Sequence, residues 1–63
     1  MQTNYELIWI FKNGHVWRNW FKSMEAISDY VWNSDLIDDP NVVSVYVDTI
    51  HNDRIFYKGD KHA

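Results

Sequence analysis

Asn13-Gly14 interrupts a stretch rich in aromatic and aliphatic residues and directs the chain to reverse its course there. Both residues tolerate the positive φ angles of a two-residue type I′ turn, which makes the pair a strong signal for a β-hairpin. The segments on either side contain no proline and are dominated by residues that favour strands. We therefore predict two antiparallel strands joined by a two-residue turn.

A helix and a second pair of strands follow this hairpin. Ser23 is a suitable N-cap because its hydroxyl can accept a hydrogen bond from a free backbone N–H group of the first helical turn. Glu25 lies in that turn, where a carboxylate stabilises the helix dipole, and Pro40 disfavours helix at the residue before it. A turn at Asn52-Asp53 separates the last two strands. The predicted elements are strands over residues 5–12, 15–21, 42–50 and 54–58 and a helix over residues 24–34.

The element order ββαββ predicts an α+β fold. A right-handed crossover through the helix places the third strand beside the first. The result is a four-stranded antiparallel sheet in the order 2-1-3-4, with the helix packed on one face and the most apolar strand in the interior. We expect one domain over residues 1–63, with residues 60–63 as a frayed tail. Because the chain contains no cysteine, the fold depends on apolar burial alone.

The predicted two-residue turn also assigns side chains to the two faces of the sheet. It pairs Trp9 with Arg18, which are then placed for a cation–π contact. Phe21 directly precedes the helix and is expected beneath it, which identifies its face as the buried one. The expected core comprises Ile8, Ile10, Trp17, Phe21, Val43, Val45, Val47 and Phe56, covered by Met24, Ala26, Ile27, Tyr30 and Val31 of the helix.

One helix covers only one face, so the opposite face is expected to expose a surplus of aromatic side chains, whichever face that is. Each large aromatic can bury roughly 150–250 Å², and several together exceed the apolar patch that a typical monomer exposes. We expect a partner to cover the surplus. A second copy in a homodimer is favoured, a different protein comes next, and a small molecule or nucleic acid last. The predicted partner-binding residues on this face are Tyr5, Trp9, Phe11, Arg18, Trp20, Tyr46 and Tyr57, beside Leu7, Ile50 and Ile55.

Acidic residues are concentrated in the middle of the chain. Residues 24–53 contain seven carboxylates and no lysine or arginine, and the whole chain has a formal net charge of −3. This pattern fits a solvated helix face followed by acidic turns, or a phosphate-like array that binds a basic, nucleic-acid-binding protein. Trp32 is expected either as an interface anchor beside these acids or folded over the helix end onto the 38–41 loop. The predicted acidic site comprises Glu25, Asp29, Trp32, Asp35, Asp38 and Asp39.

The sequence lacks the residue patterns that are typical of catalysis or of metal and cofactor binding. The three histidines lie beside predicted turns or in the tail, and there is no P-loop, glycine-rich dinucleotide loop or nucleophile elbow. We therefore expect neither an enzyme nor a bound cofactor. Binding of single-stranded nucleic acid by the aromatic face is the alternative function, although only six lysine and arginine residues are available for phosphate contacts.

Nothing in the sequence predicts export or a membrane span. The longest uninterrupted apolar run covers residues 7–11, whereas a transmembrane helix needs about 20 residues. The first residues contain neither a basic segment nor a small-residue cleavage site. We expect a cytoplasmic location and no membrane partner.

Three short segments mark the entries into the helix and the third strand: Phe21-Lys22-Ser23, Met24-Glu25-Ala26 and Asp39-Pro40-Asn41-Val42-Val43. Together they give a layout that resembles short ββαββ proteins encoded by bacterial phages and mobile elements. The resemblance covers most of the chain. It implies a small protein that binds and inhibits or modulates a host protein, such as a defence or DNA-processing enzyme, and it assigns no role to any single residue.

Overall fold

A computed structural model describes residues 5–59 of the chain. Four strands and one α-helix follow each other in the predicted order, with an additional 3-10 turn after the helix. The elements are β1 (Tyr5–Phe11), β2 (Val16–Phe21), α1 (Met24–Trp32), the 3-10 turn (Asp35–Asp38), β3 (Val42–Thr49) and β4 (Arg54–Lys58). The predicted frayed tail at 60–63 lies outside the described residues.

The sheet confirms the predicted α+β topology. Its four strands lie in the order β2-β1-β3-β4, and each neighbouring pair is antiparallel. α1 connects β2 to β3 and packs on one face of the sheet through Ile27 and Val31. The most apolar strand, β1, lies in the interior, and its central residues 7–9 are all buried.

The first hairpin turn is one residue longer than predicted. The φ angle of Gly14 is 93°, but Asn13 does not have a positive φ, so the turn is not type I′. The Phe11 carbonyl accepts from the Gly14 N–H, and the Phe11 N–H donates to the His15 carbonyl, each at 2.9 Å. This is a three-residue loop in which a type I turn is followed by a left-handed glycine.

The second hairpin has the same kind of loop. The Thr49 carbonyl accepts from the Asn52 N–H at 3.1 Å, and the Thr49 N–H donates to the Asp53 carbonyl at 3.0 Å. Asn52 occupies the left-handed position with a φ of 67°. The predicted turn at Asn52-Asp53 is therefore also one residue too short. As a result, Phe56 lies on the face away from α1, whereas the prediction had placed it in the core beneath the helix.

The longer first loop shifts the pairing of β1 with β2 by one residue. Trp9 lies opposite Trp17 rather than Arg18, so the predicted cation–π pair is wrong. Because side chains alternate between the faces of a strand, a shift of one residue exchanges the faces. Trp9 therefore lies under α1, and the predicted core residues Ile8 and Ile10 lie on the other face.

The core lies between α1 and the two inner strands. Its buried members are Leu7, Trp9, Ile27, Val31, Ile37, Val42, Val45 and Val47. The predictions for Val45 and Val47 of β3 are confirmed, as are those for the buried residues Ile27 and Val31 of the helix. Ala26 and Tyr30, by contrast, are exposed, because they lie at the margins of the helix face that meets the sheet.

Two further predicted core residues are exposed. α1 lies over β1 and β3, so Trp17 on the outer strand β2 is only half covered. In β3 a β-bulge pairs Phe11 with Val42 and leaves Val43 exposed. Neither the position of the helix across the sheet nor the bulge follows from local residue preferences.

The chain leaves α1 earlier than predicted and enters the 3-10 turn. The Asn33 side-chain amide donates to the Asp29 carbonyl at 2.7 Å at the end of the helix. The Ser34 hydroxyl accepts from the Leu36 N–H at 3.2 Å and caps the 3-10 turn. That turn directs Ile37 into the core, so the connection to β3 contributes to packing.

Ser23→Ala tests the cap of α1. The Ser23 hydroxyl accepts from the Ala26 N–H at 3.1 Å, as predicted. Because this N–H would lose its side-chain partner, we expect the free energy of unfolding to fall by about 1 kcal/mol. Urea unfolding followed by circular dichroism measures the loss. Ser23→Asp retains a capping oxygen and should be as stable as the parent, so an equal loss in both variants would contradict the capping role.

Candidate partner-binding surfaces

The sheet face opposite α1 carries only part of the aromatic site predicted for it. Of the predicted residues, Arg18, Trp20 and Tyr46 lie there, because they pair across β1 with Ile8 and Glu6. We name this surface the open face. Its residues are Glu6, Ile8, Ile10, Val16, Arg18, Trp20, Ser44, Tyr46, Asp48, Arg54 and Phe56.

The other predicted residues of that site lie on the helix side. Trp9 is fully buried and cannot contact a partner. Tyr5, Phe11 and Tyr57 are partly buried and pack against the core beneath α1. The physical reason is the same for β1 and β4: each three-residue loop exchanges the faces that a two-residue turn would give.

Ion pairs and ring contacts occupy much of the open face. Arg18 Nη1 lies 3.4 Å from Glu6 Oε2. Arg54 donates to the two Asp48 carboxylate oxygens at 2.8 and 3.1 Å, and its guanidinium lies 4.2 Å above the centre of the Tyr46 ring. The hydrogen bonds to Asp48 raise the pKa of Arg54 above its ordinary value. Both arginines of the chain are therefore engaged with carboxylates.

Apolar exposure on the open face is concentrated on β2. Ile8 is buried between the side chains of its neighbours Arg18 and Tyr46, although α1 does not cover it. Trp20 is 58% exposed, and Val16 is exposed on the same strand. The apolar surplus is thus smaller than the sequence predicts, and it lies at one edge of the sheet.

The helix side carries carboxylates without a salt bridge. Glu25 and Asp29 lie one turn apart on the exposed side of α1, and Asp35 and Asp38 are exposed in the 3-10 turn. Within residues 5–59, the acids that form salt bridges are Glu6 and Asp48, and both lie on the open face. Four of the predicted acids are thus exposed, and the chain segment that contains them, residues 24–53, has no lysine or arginine.

Trp32 lies on this side, and its ring contacts β4. Its ring meets that of Tyr57 edge-on, with centroids 5.6 Å apart, and remains 60% exposed. The Tyr57 hydroxyl shares a 2.8 Å hydrogen bond with that of Ser28, one turn earlier in α1. Ile55 is exposed on the same face of β4, whereas the sequence prediction had placed it on the face opposite the helix. We name Trp32, Ile55 and Tyr57 the Trp32 patch.

Asp39 does not belong to the exposed acidic site. Its carboxylate accepts from the Asn41 N–H at 2.8 Å, which stabilises the turn around Pro40. Its carbonyl accepts from Lys58 Nζ at 2.9 Å, and the residue is partly buried. The acids that remain available to a partner are those of α1 and the 3-10 turn, which flank Trp32 on both sides in the chain.

Histidine, aspartate and glutamate side chains are distributed over the described residues. Nowhere among them do three histidine, aspartate or glutamate side chains gather closely enough to hold a metal ion. No helix within residues 5–59 is long and apolar enough to cross a bilayer. A shallow depression of about 410 Å³ at the end of the first hairpin is lined by Phe11, Lys12, Asn13 and Asn41.

Comparison of the chain with protein-family models, curated proteins and solved structures finds no match. Each candidate surface is therefore inferred from the geometry of this chain alone.

Proposed function

We propose that this chain is a small cytoplasmic protein that binds a basic surface of another protein through the Trp32 patch and the adjoining carboxylates. It acts by binding rather than by catalysis, and its target is a host protein that it inhibits or modulates. One observation carries the proposal. An exposed tryptophan lies among carboxylates that form no salt bridge within residues 5–59.

The acids of the two sides of the molecule differ in how they are used. On the open face, Glu6 and Asp48 each have an arginine partner, so their charge is largely compensated within the chain. On the helix side, Glu25 and Asp29 lack such a partner among the described residues. Uncompensated charge of one sign creates a potential that attracts and orients a partner of the opposite sign. This asymmetry favours the helix side as the surface that meets a basic protein.

Trp32 supplies what a charged surface lacks. Charge complementarity mainly increases the association rate and the specificity, whereas buried aromatic anchors dominate affinity. The edge contact with Tyr57 restricts the Trp32 ring, and the hydroxyl of Ser28 in turn holds Tyr57. A side chain ordered before binding loses less conformational entropy when the complex forms. The Trp32 patch therefore has the properties of an interface anchor.

The open face supports the alternative function, binding of single-stranded nucleic acid, less well. Trp20 is exposed and could stack on a base. Arg18 and Arg54, however, already donate to carboxylates, and Glu6 and Asp48 would repel a phosphate backbone laid across this face. We place this function second and include it in the test below.

The four tryptophans of the chain allow a direct test because they occupy different environments. Trp9 is buried, Trp20 lies on the open face and Trp32 lies in the Trp32 patch. Fluorotryptophan labelling gives fluorine NMR resonances that single Trp→Phe variants assign. An arginine-rich peptide should shift the Trp32 resonance and leave that of Trp20 unchanged. A shift of Trp20 alone, produced by a thymidine oligonucleotide and not by the peptide, would reject the proposal in favour of the alternative.

Neutralisation of acids should weaken peptide binding only on the helix side. Two variants of equal net charge are compared, Glu25→Gln/Asp29→Asn/Asp35→Asn and the control Glu6→Gln/Asp48→Asn/Asp53→Asn. We expect the first to raise the Kd for the arginine-rich peptide about tenfold or more, and the control to change it by less than about threefold. Isothermal titration calorimetry at moderate salt measures both. Equal weakening would show attraction to net charge alone and would contradict a localised site.

A further inference from the structure

The backbone groups that β2 directs outward can be assigned from the hairpin register. The Phe11 N–H donates to the His15 carbonyl, so these residues form a hydrogen-bonded pair. Such pairs alternate with non-bonded pairs along an antiparallel ladder. Val16, Arg18 and Trp20 therefore direct their N–H and C=O groups away from β1. Within residues 5–59, no other strand lies on that side of the sheet.

The same assignment for β4 shows an edge that opposes self-association. The Thr49 N–H donates to the Asp53 carbonyl, so Arg54 and Phe56 direct their backbone groups outward. A β-bulge between Val45 and Tyr46 then shifts the register and pairs Lys58 with Val45, so the outward pattern ends at Phe56. Only residues 54–56 of β4 therefore lie in a regular ladder that a second strand could extend. Bulges and short edge strands protect sheet edges from unwanted pairing.

β2 lacks this protection and is self-complementary in one register. A two-fold axis at Asn19 places Arg18 of each copy opposite Trp20 of the other, which aligns the outward backbone groups of both residues. It also allows a cation–π contact at two symmetric positions. On the other side of the sheet it sets Trp17 opposite Phe21 of the second copy. An axis at Arg18 would instead oppose two guanidinium groups.

We propose that two copies of this chain associate through β2, antiparallel and in the register centred on Asn19. Each of the two equivalent Arg18–Trp20 pairs forms two backbone hydrogen bonds, and the two sheets become one continuous sheet. The pairing covers the apolar side chains that the single chain exposes on β2, Trp20 above all. β4 and the Trp32 patch lie at the opposite edge, so the dimer presents two copies of that surface.

Removal of single backbone donors tests the edge without altering side chains. A chain of 63 residues is accessible to chemical synthesis, so an N-methyl group can be placed at Arg18 or, as the matched control, at Phe56 of β4. Neither N–H takes part in the sheet of the monomer. We expect the parent and the Phe56 derivative to sediment as dimers and the Arg18 derivative as a monomer. The proposal would be overturned if the parent were a monomer or if the dimer survived methylation at Arg18. Dissociation by both modifications would also overturn it, because that result indicates pairing of β2 with β4 of the second copy.

A side-chain variant tests the proposed register. Trp20→Lys would place a lysine directly opposite Arg18 of the second copy. Because the two positive charges repel each other, we expect the dimer dissociation constant to rise about tenfold or more. Ile50→Lys makes the same change of charge at a residue of matching exposure, 60% against 58% for Trp20, but outside β2. It should leave the constant within about threefold of the parent value. Circular dichroism checks that both variants are folded, and an equal effect of both would overturn the register.

Discussion

Trp9→Ala is expected to unfold most of the protein under native conditions. Trp9 is fully buried at the centre of the sheet, and the ring of Tyr30 meets it edge-on with centroids 6.2 Å apart. Truncation of a buried tryptophan to alanine costs about 3–5 kcal/mol through lost burial and the cavity that remains. Stability is about 0.05–0.15 kcal/mol per residue in small domains, so the loss is comparable to the whole free energy of unfolding. Thermal unfolding followed by circular dichroism measures it.

Two controls assign this loss to core packing. Trp32→Ala makes the same substitution at a largely exposed residue and should cost no more than about 1.5 kcal/mol, for its edge contact with Tyr57. Trp9→Phe keeps much of the ring. It also removes the Trp9 Nε1 donor, which has no partner among the described residues, so it should cost less than Trp9→Ala. If Trp9→Ala and Trp32→Ala were equally stable, the assignment of β1 faces would be wrong.

Gly59→Ala should produce the second large loss, because two effects combine there. Gly59 follows β4 with a φ of 69°, in the left-handed region that disfavours a side chain. A Cβ would also collide with the Val43 carbonyl oxygen and lie 3.1 Å from the Ser44 Cα. Since both are backbone atoms of β3, neither can move without disturbing the sheet. We expect a loss of about 2–4 kcal/mol in the free energy of unfolding, measured by urea denaturation.

Gly14→Ala is the matched control for this variant. Its φ of 93° imposes backbone strain, but nothing lies within 4 Å of the position that a Cβ would occupy. The loss should therefore be limited to about 1–2 kcal/mol of strain. Displacement of the end of β4 should also move Tyr57 and change the fluorine resonance of Trp32 in Gly59→Ala alone. Equal losses in the two variants would show that the contact with β3 contributes nothing.

Local residue preferences were sufficient to predict the elements and their order. Ser23 caps α1 as expected, and runs of β-branched and aromatic residues form all four strands. The right-handed crossover rule then places β3 beside β1. The acids of α1 could also be recognised, because a segment without lysine or arginine keeps its carboxylates uncompensated unless distant residues reach them.

The aromatic site on the sheet could not be predicted in the same way. Asn13-Gly14 fits a two-residue turn and a three-residue loop about equally well, since glycine accepts the left-handed position in either. Asn52, which also tolerates a positive φ, leaves the same ambiguity in the second hairpin. A one-residue error in each loop moved Trp9 and Tyr57 to the wrong face, and with them much of the predicted site.

The chain thus carries its topology and its charge asymmetry in its sequence, because strand preference, helix capping and the location of acids are local properties. Which face of each strand is buried is not local. Side chains alternate with a period of two, so one residue of loop length decides between the opposite outcomes, and the free energies of the two loops differ little. Packing of Ile27 and Val31 against Leu7, Trp9 and the valines of β3 selects the three-residue loops. That packing leaves Trp20 at the free edge of β2 and brings Tyr57 beneath Trp32, the two positions on which the proposed interactions depend.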